Sequence, residues 1–126
     1  MQVIKRDMLG IENLPGRQIQ KAVGKDGLSS SGRMTMGFAH FSDESGPVEP
    51  HHHAEEIVYV LSAKDGWISS GPEQDRLGPP LPLEGGMVLH IPPLEWHGFG
   101  FSPGGHIDIL FFYGQVDNIR PEEISR

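Results

Sequence analysis

Glycine and proline fill 28 of the 126 positions, 17 and 11 respectively. Proline has no backbone N–H to donate, and glycine loses the most conformational entropy on ordering. A chain interrupted this often leaves no room for long helices and predicts many short strands joined by turns. Its length predicts one compact domain over 1–126, divided into N-terminal strands and loop (1–33), a barrel (34–113) and a tail (114–126). Hydrophobic residues at 37% and charged residues at 21% are those of a globular protein and not of a disordered one. The formal net charge of -7 argues against nucleic acid or an anionic membrane as partner. With no cysteine there is neither a disulfide framework nor a thiol nucleophile. No apolar run approaches ~18 residues, the length a membrane-spanning helix needs. The opening MQVIKRDMLG lacks the apolar stretch of a secretory signal, so a cytoplasmic location is expected.

Taken in order, the chain predicts short strands around Val3–Ile4 and from Ile19 to Val23, with a turn at Asn13-Leu14-Pro15-Gly16 between them. Met34 to Phe41 reads as a strand with Met34, Met36, Phe38 and His40 on one face and Thr35, Gly37, Ala39 and Phe41 on the other. Neither set is purely polar. Ile57 to Leu61 is a short apolar strand, and Lys64-Asp65-Gly66 reads as a hairpin turn before a return strand at Trp67 to Ser69. Residues 71–86 form a loop, Met87 to Ile91 a strand, Pro103-Gly104-Gly105 a turn, and His106 to Tyr113 the last strong strand. Pro121 followed by Glu122-Glu123 predicts one helical turn in the tail. Six to eight short strands with almost no helix define an all-β chain: a sandwich, jelly roll or small barrel.

The chemistry concentrates in Pro50-His51-His52-His53-Ala54-Glu55-Glu56, directly ahead of an apolar β-branched run. Imidazole and carboxylate are the usual ligands of divalent first-row metals. On a strand His51 and His53 share a face and His52 takes the other, so two imidazoles can meet one ion. A solvated polar turn is the competing reading. A tag remnant fits poorly, because the run is short, internal and followed at once by a strand.

Two segments resemble the cupin motifs. His51 to Gly66, HHHAEEIVYVLSAKDG, is similar to the first, with its His-x-His, its Glu and a glycine-bounded turn. Gly86 to His97, GMVLHIPPLEWH, is similar to the second, where Gly leads through a strand to Pro and a His follows five residues later. The resemblance implies a double-stranded β-helix of jelly-roll type. It also implies one divalent transition metal (Fe, Mn, Ni, Co or Zn) held by His51, His53, Glu56 and His97, and a homodimer. The pattern departs from the family's in places. Only two residues separate His53 from Glu56, where three or four are usual, so His52 and Glu55 remain alternative ligands. Leu94 stands where a Gly is usual two residues after the motif-two Pro, and Phe101 stands where an Asn is usual.

Such a ligand set carries one negative charge against a dication and leaves coordination positions for a chelating substrate. The metal would polarise a carbonyl, stabilise an enolate or, if iron, activate O₂, and its binding should weaken below about pH 6 as imidazoles protonate. The expected function is a metal-dependent dioxygenase, isomerase, lyase or cyclase on a small carbonyl, enol or phenolic substrate. The alternative is a non-catalytic small-molecule-binding or sensing cupin with a structural metal. His40, His106 and Tyr59 are the candidate acid–base residues. His40 reads equally as a hydrogen-bonded core histidine, and His106 with Asp108 as a structural pair on the last strand. His90 reads as structural. Trp96 and Phe99 read as pocket mouth or core, and Tyr113 as a second proton-donor candidate.

Overall fold

A computed structural model describes residues 1–50 and 54–116. Seven strands follow in order: β1 (Glu12–Leu14), β2 (Arg17–Val23), β3 (Thr35–Ser42), β4 (Glu56–Gly71), β5 (Leu81–Pro82), β6 (Val88–Ile91) and β7 (Trp96–Tyr113). They pair antiparallel in the order β1-β2-β3-β7-β4-β5, with β6 also on β4. The helical content among the described residues is two short 3₁₀ turns, Arg6–Met8 and Asp43–Ser45. No helix among these residues is long and apolar enough to cross a membrane.

The two long strands define the architecture. The first half of β4 pairs with the second half of β7 (Glu56 opposite Tyr113, Lys64 opposite His106), and the second half of β4 pairs with the first half of β7 (Gly66 opposite Phe101, Gly71 opposite Trp96). Each strand therefore belongs to both walls and turns a corner between them. At the corner two steps along β4 face five along β7, so β7 bulges at Ser102 to Gly105. Asp65 (φ 52) and Gly104 (φ 82) supply the left-handed backbone that the bend needs. At Gly66 a Cβ would stand 2.5 Å from Ile107 Cγ1, so the two walls approach there as closely as glycine permits.

This corrects two expectations. Lys64-Asp65-Gly66 is not a hairpin turn, and Pro103-Gly104-Gly105 does not end a strand; both are corners within long strands that pair with each other on either side of the bend. Turn-forming residues mark a bend in either case, and only the pairing partner distinguishes them. A third correction concerns Val3–Ile4, which form no strand. Glu12–Leu14 instead pairs with β2 around the Pro15-Gly16 turn. The side chain of Gln20 donates to the carbonyls of Arg6 and Leu9, and so holds the N-terminal segment to the sheet without a ladder. The tail from Asn118, with its expected helical turn, lies outside the described residues.

Side-chain alternation fills the interior. Val58 and Val60 from β4, Ala39 and Phe41 from β3, Ile19 from β2, and Phe99, Ile107, Ile109, Phe111 and Tyr113 from β7 form one buried cluster. Of the two faces read on β3, the one carrying Gly37, Ala39 and Phe41 turns inward; Met36, Phe38 and His40 are half-buried on the other.

Candidate functional site

Among the described residues, three polar side chains interrupt this apolar interior: Arg17, Glu56 and His97, with 3%, 5% and 1% exposure. Glu56 opens β4 and faces inward in phase with Val58 and Val60. His97 is the second residue of β7, on the opposite wall. The folded-over β4–β7 pairing brings these two residues together: His97 Nε2 lies 3.6 Å from Glu56 Oε1.

The other ring nitrogen, Nδ1, lies 3.0 Å from the carbonyl oxygen of Glu95, which can only accept, so Nδ1 carries a proton. In the neutral ring Nε2 then offers a lone pair toward a carboxylate, which is also an acceptor. The separation exceeds the ~2.7–2.9 Å of a charge-assisted hydrogen bond. It is near the ~3.0–3.4 Å between neighbouring ligand atoms that metal bonds of about 2.1 Å produce. A carbonyl orienting the far nitrogen of a histidine is also how metal-binding imidazoles are held. The pair thus fits a first-row dication in chemistry and spacing. Among the described residues no group of three or more His, Asp and Glu gathers around one point.

His51 and His53, with the alternative His52, lie outside the described residues. The residues before and after them are placed. Pro50 lies against Gly98, where a Cβ would stand 3.3 Å from Pro50 Cγ, so the residue before the triplet touches the residue after His97. Two residues beyond the triplet, Glu55 leads into Glu56. The loop is tied down on its other side too. Gly16 N–H donates to Ser45 O at 2.9 Å, and a Cβ on Gly16 (φ +86) would come within 2.7 Å of Val48 Cα. The alternative carboxylate, Glu55, is exposed and sits 2.6 Å from His90 Nε2.

The three candidate acid–base residues are not brought into this cavity. Tyr59 is 41% exposed on the outer face of β4. His40 and His106 also face outward, with their rings stacked at 5.9 Å between centroids. His40 Nδ1 lies 3.1 Å from Asp108 Oδ1, and His106 Nε2 3.5 Å from Ser62 Oγ. Arg6 closes this outer cluster with a forked contact to both oxygens of Asp108 at 2.7 and 2.8 Å, and its guanidinium lies 4.5 Å over the Phe38 ring. Burial pushes the Asp108 carboxyl up, but hydrogen bonds from Arg6 and His40 outweigh it and hold the group below the ordinary carboxylate value. The Arg6 guanidinium is raised by its hydrogen bonds to Asp108 against the opposing cost of burial. Strand alternation explains the split, since His40, His106 and Tyr59 are one step out of phase with Phe41, Ile107 and Val58.

Arg17 was not singled out by the sequence. It lines the cavity with Glu56, His97, Tyr113, Phe41 and Phe99. The available signal was its two-residue spacing from Ile19, which places a cation on the apolar face of β2. Phe99 and Tyr113 belong to the buried core around the cavity, and Trp96 is half-buried.

No family model matches the sequence, and no curated protein does. Solved structures do match. The polyketide cyclase RemF from Streptomyces resistomycificus aligns with a TM-score of 0.70 at 22% identity, covering 100% of this chain and 87% of its own. Hydroxypropylphosphonic acid epoxidase from S. wedmorenis aligns at 0.65 and 12% identity, covering 89% of this chain and 58% of its own. A mutant of Bacillus subtilis oxalate decarboxylase aligns at 0.69 and 12%, covering 93% and 30%. The fold is that of the cupins, an all-β double-stranded helix. These neighbours are enzymes with different chemistries on a shared scaffold.

Proposed function

We propose that this chain is a metal-dependent cupin acting on a small organic substrate with a carbonyl, enol or phenolic oxygen, its metal held by His51, His53, Glu56 and His97. The observation that carries the reading is the buried Glu56–His97 pair, an imidazole nitrogen and a carboxylate oxygen brought within 3.6 Å from opposite walls, with Pro50 packed against Gly98 beside them. The placement of Pro50 supports delivery of the triplet to the same point. That one neighbour is Fe(II)-HppE adds weight to a metal, without choosing which. When bound, a divalent ion would supply Lewis-acid polarisation of a substrate oxygen. The chain's own part would be to orient His97 through the Glu95 carbonyl and to exclude bulk water with Phe41, Phe99, Phe111 and Tyr113. Cyclisation, isomerisation, elimination and oxygenation are the reactions to assay, with cyclisation of a carbonyl-rich compound first because RemF is a cyclase.

The test is the metal content of untagged protein and of H51A, H53A, E56A and H97A. About one ion per chain in the wild type and near none in the variants is expected; full retention in all four removes the assignment. Loss in His52→Ala without loss in His51→Ala would move the ligand set by one residue. A second reading, a binding or sensing cupin with a structural metal, has one observation in its favour. The described cavity walls leave about 10 Å³ free, roughly one water. Binding of small phenols, diketones or sugar acids with no turnover under any metal would select it.

We also propose a homodimer, because Ile57, Tyr59 and Val88 expose apolar surface on the outside of the sheet and Tyr59 pairs across strands with Val88. A monomer in sedimentation equilibrium at micromolar concentration would refute it.

A further inference from the structure

We infer that the outside of the barrel corner carries a second binding site, a groove over Trp67 and Asp65 that takes a small organic ammonium ion. It depends neither on the interior cavity nor on a metal.

Three adjacent segments build the groove by strand alternation. Ile68 on β4 and Leu83 just beyond β5 are buried, so their neighbours Trp67 and Pro82 point outward. Trp67 stands opposite Pro82 on one side and opposite Gly100 on the other, and cross-strand partners share a face. Asp65, Pro80 and Ser102 each lie two residues along the chain from one of these three. Together with Gly66 they line an open groove of about 300 Å³, at the lower end of the size range of small-molecule sites.

The platform is fixed in place. A Cβ on Gly100 would stand 2.5 Å from Trp67 Nε1, 2.7 Å from Cε2 and 2.9 Å from Cζ2, so the indole lies across a position that only glycine leaves open. The Leu83 N–H donates to the Gly66 carbonyl at 2.9 Å and ties the segment bearing Pro82 to β4. Pro80 and Pro82 have no side-chain rotamers to lose. A ligand therefore meets apolar walls already in their bound arrangement, and the cost of ordering them is small.

Charge selects the ligand class. Asp65 is the one charged residue in the lining, it is exposed, and no described residue pairs with its carboxylate. It occupies a left-handed position (φ 52) that glycine would hold at lower cost, so the corner alone does not account for an acidic side chain there. The face of an indole is electron-rich and attracts cations, and the carboxylate acts in the same sense. So does the net charge of -7. An anion is opposed by all three. A neutral ring would stack on Trp67 and leave Asp65 without a partner. An alkylammonium uses the whole lining, with its charge toward Asp65 and the indole and its carbons against the two prolines. Six lining residues enclose a group the size of choline and not a run of peptide.

The experiment titrates choline and its uncharged carbon isostere, dimethylbutanol, into isotope-labelled protein, with sodium chloride at matched ionic strength as the blank. The chain has two tryptophans, so two indole N–H signals report by NMR, and W67F assigns them. Choline should move the Trp67 signal with a millimolar dissociation constant and leave that of Trp96 in place. The isostere should bind about three- to fivefold more weakly, the range an exposed cation–ring contact supplies. Asp65→Asn suits the same left-handed, exposed position, so the fold is kept. It should bring choline down toward the isostere, whereas Trp67→Leu should abolish both. Should Trp67→Leu fail to fold, Asp65→Asn decides alone. No shift beyond the salt blank overturns the inference, as does equal affinity for the two probes in wild type or an unchanged preference in Asp65→Asn. Tighter binding of a methyl glucoside than of choline also overturns it, because that marks a sugar platform. Each titration is run with and without added metal. Choline binding in protein that takes up no metal would leave this groove assigned and the interior metal reading refuted, and binding that appears only with metal overturns the inference.

Discussion

The two faces of the barrel use the same residue types to opposite ends. Inside stand an arginine, a carboxylate and a histidine: Arg17, Glu56 and His97. Outside stand Arg6, Asp108 and His40, with His106 stacked on the last. The outer set closes on itself, with both Asp108 oxygens taken by the Arg6 fork and one shared with His40. Its product is attachment of the N-terminal segment to the sheet. The inner set brings Glu56 and His97 within 3.6 Å of each other from opposite walls of the apolar interior, where the proposed metal would sit. Residue identity therefore says little about role here. What differs is placement: the outer cluster is partly solvated, whereas the inner one is enclosed by the apolar walls of the barrel.

That contrast can be broken most decisively by exchanging its members. His97→Ala should remove bound metal almost entirely, whereas His40→Ala and His106→Ala should leave it at wild-type level; metal analysis of the three decides. If His40→Ala empties the site, the division between faces is wrong. Next in size is the apolar packing that encloses the inner set. Phe41→Ala, at 2% exposure and with its ring 4.8 Å from that of Phe99, should cost ~3–5 kcal/mol in denaturant unfolding.

The outer cluster is partly solvated, so Asp108→Ala should cost only about 1 kcal/mol after screening is allowed for. Its pH dependence sharpens the comparison. Because the Asp108 carboxyl is lowered in the folded chain, its stabilisation is complete above the unfolded carboxylate value and fades as pH falls toward the folded one. Asp108→Asn should flatten that part of the acid-denaturation curve, and an unchanged curve would show the cluster to be inert. Smallest is a backbone effect near the second motif. Leu94 has φ 63 and is exposed, so Leu94→Gly should raise stability by about 0.5–1 kcal/mol. The Leu that departs from the family's usual Gly thus occupies a left-handed position.

Much of this molecule could be read before folding. The glycine and proline density excluded long helices, the two-residue alternation located β3, most of β2 and the second half of β7, and the resemblance singled out Glu56 and His97, which the fold brings within 3.6 Å. Less was legible at the corners, where Asp65-Gly66 and Pro103-Gly104-Gly105 carry ordinary turn residues yet the two strands resume pairing with each other beyond the bend. Arg17 also escaped, because a lone arginine after a turn reads as solvated until its strand is known to close over it.

Composition and periodicity are local properties, and so the chain alone decided that it would be all-β and which residue types were available for chemistry. Period two sorts side chains into two sets but does not say which set faces in. That choice depends on which surface meets its counterpart across the barrel. Only the tertiary pairing of β4 with β7 turned Glu56 and His97 toward each other and sent His40, His106 and Tyr59 outward. The physical reason is that burial is decided by the total apolar area that two walls can cover together, a quantity no single strand contains.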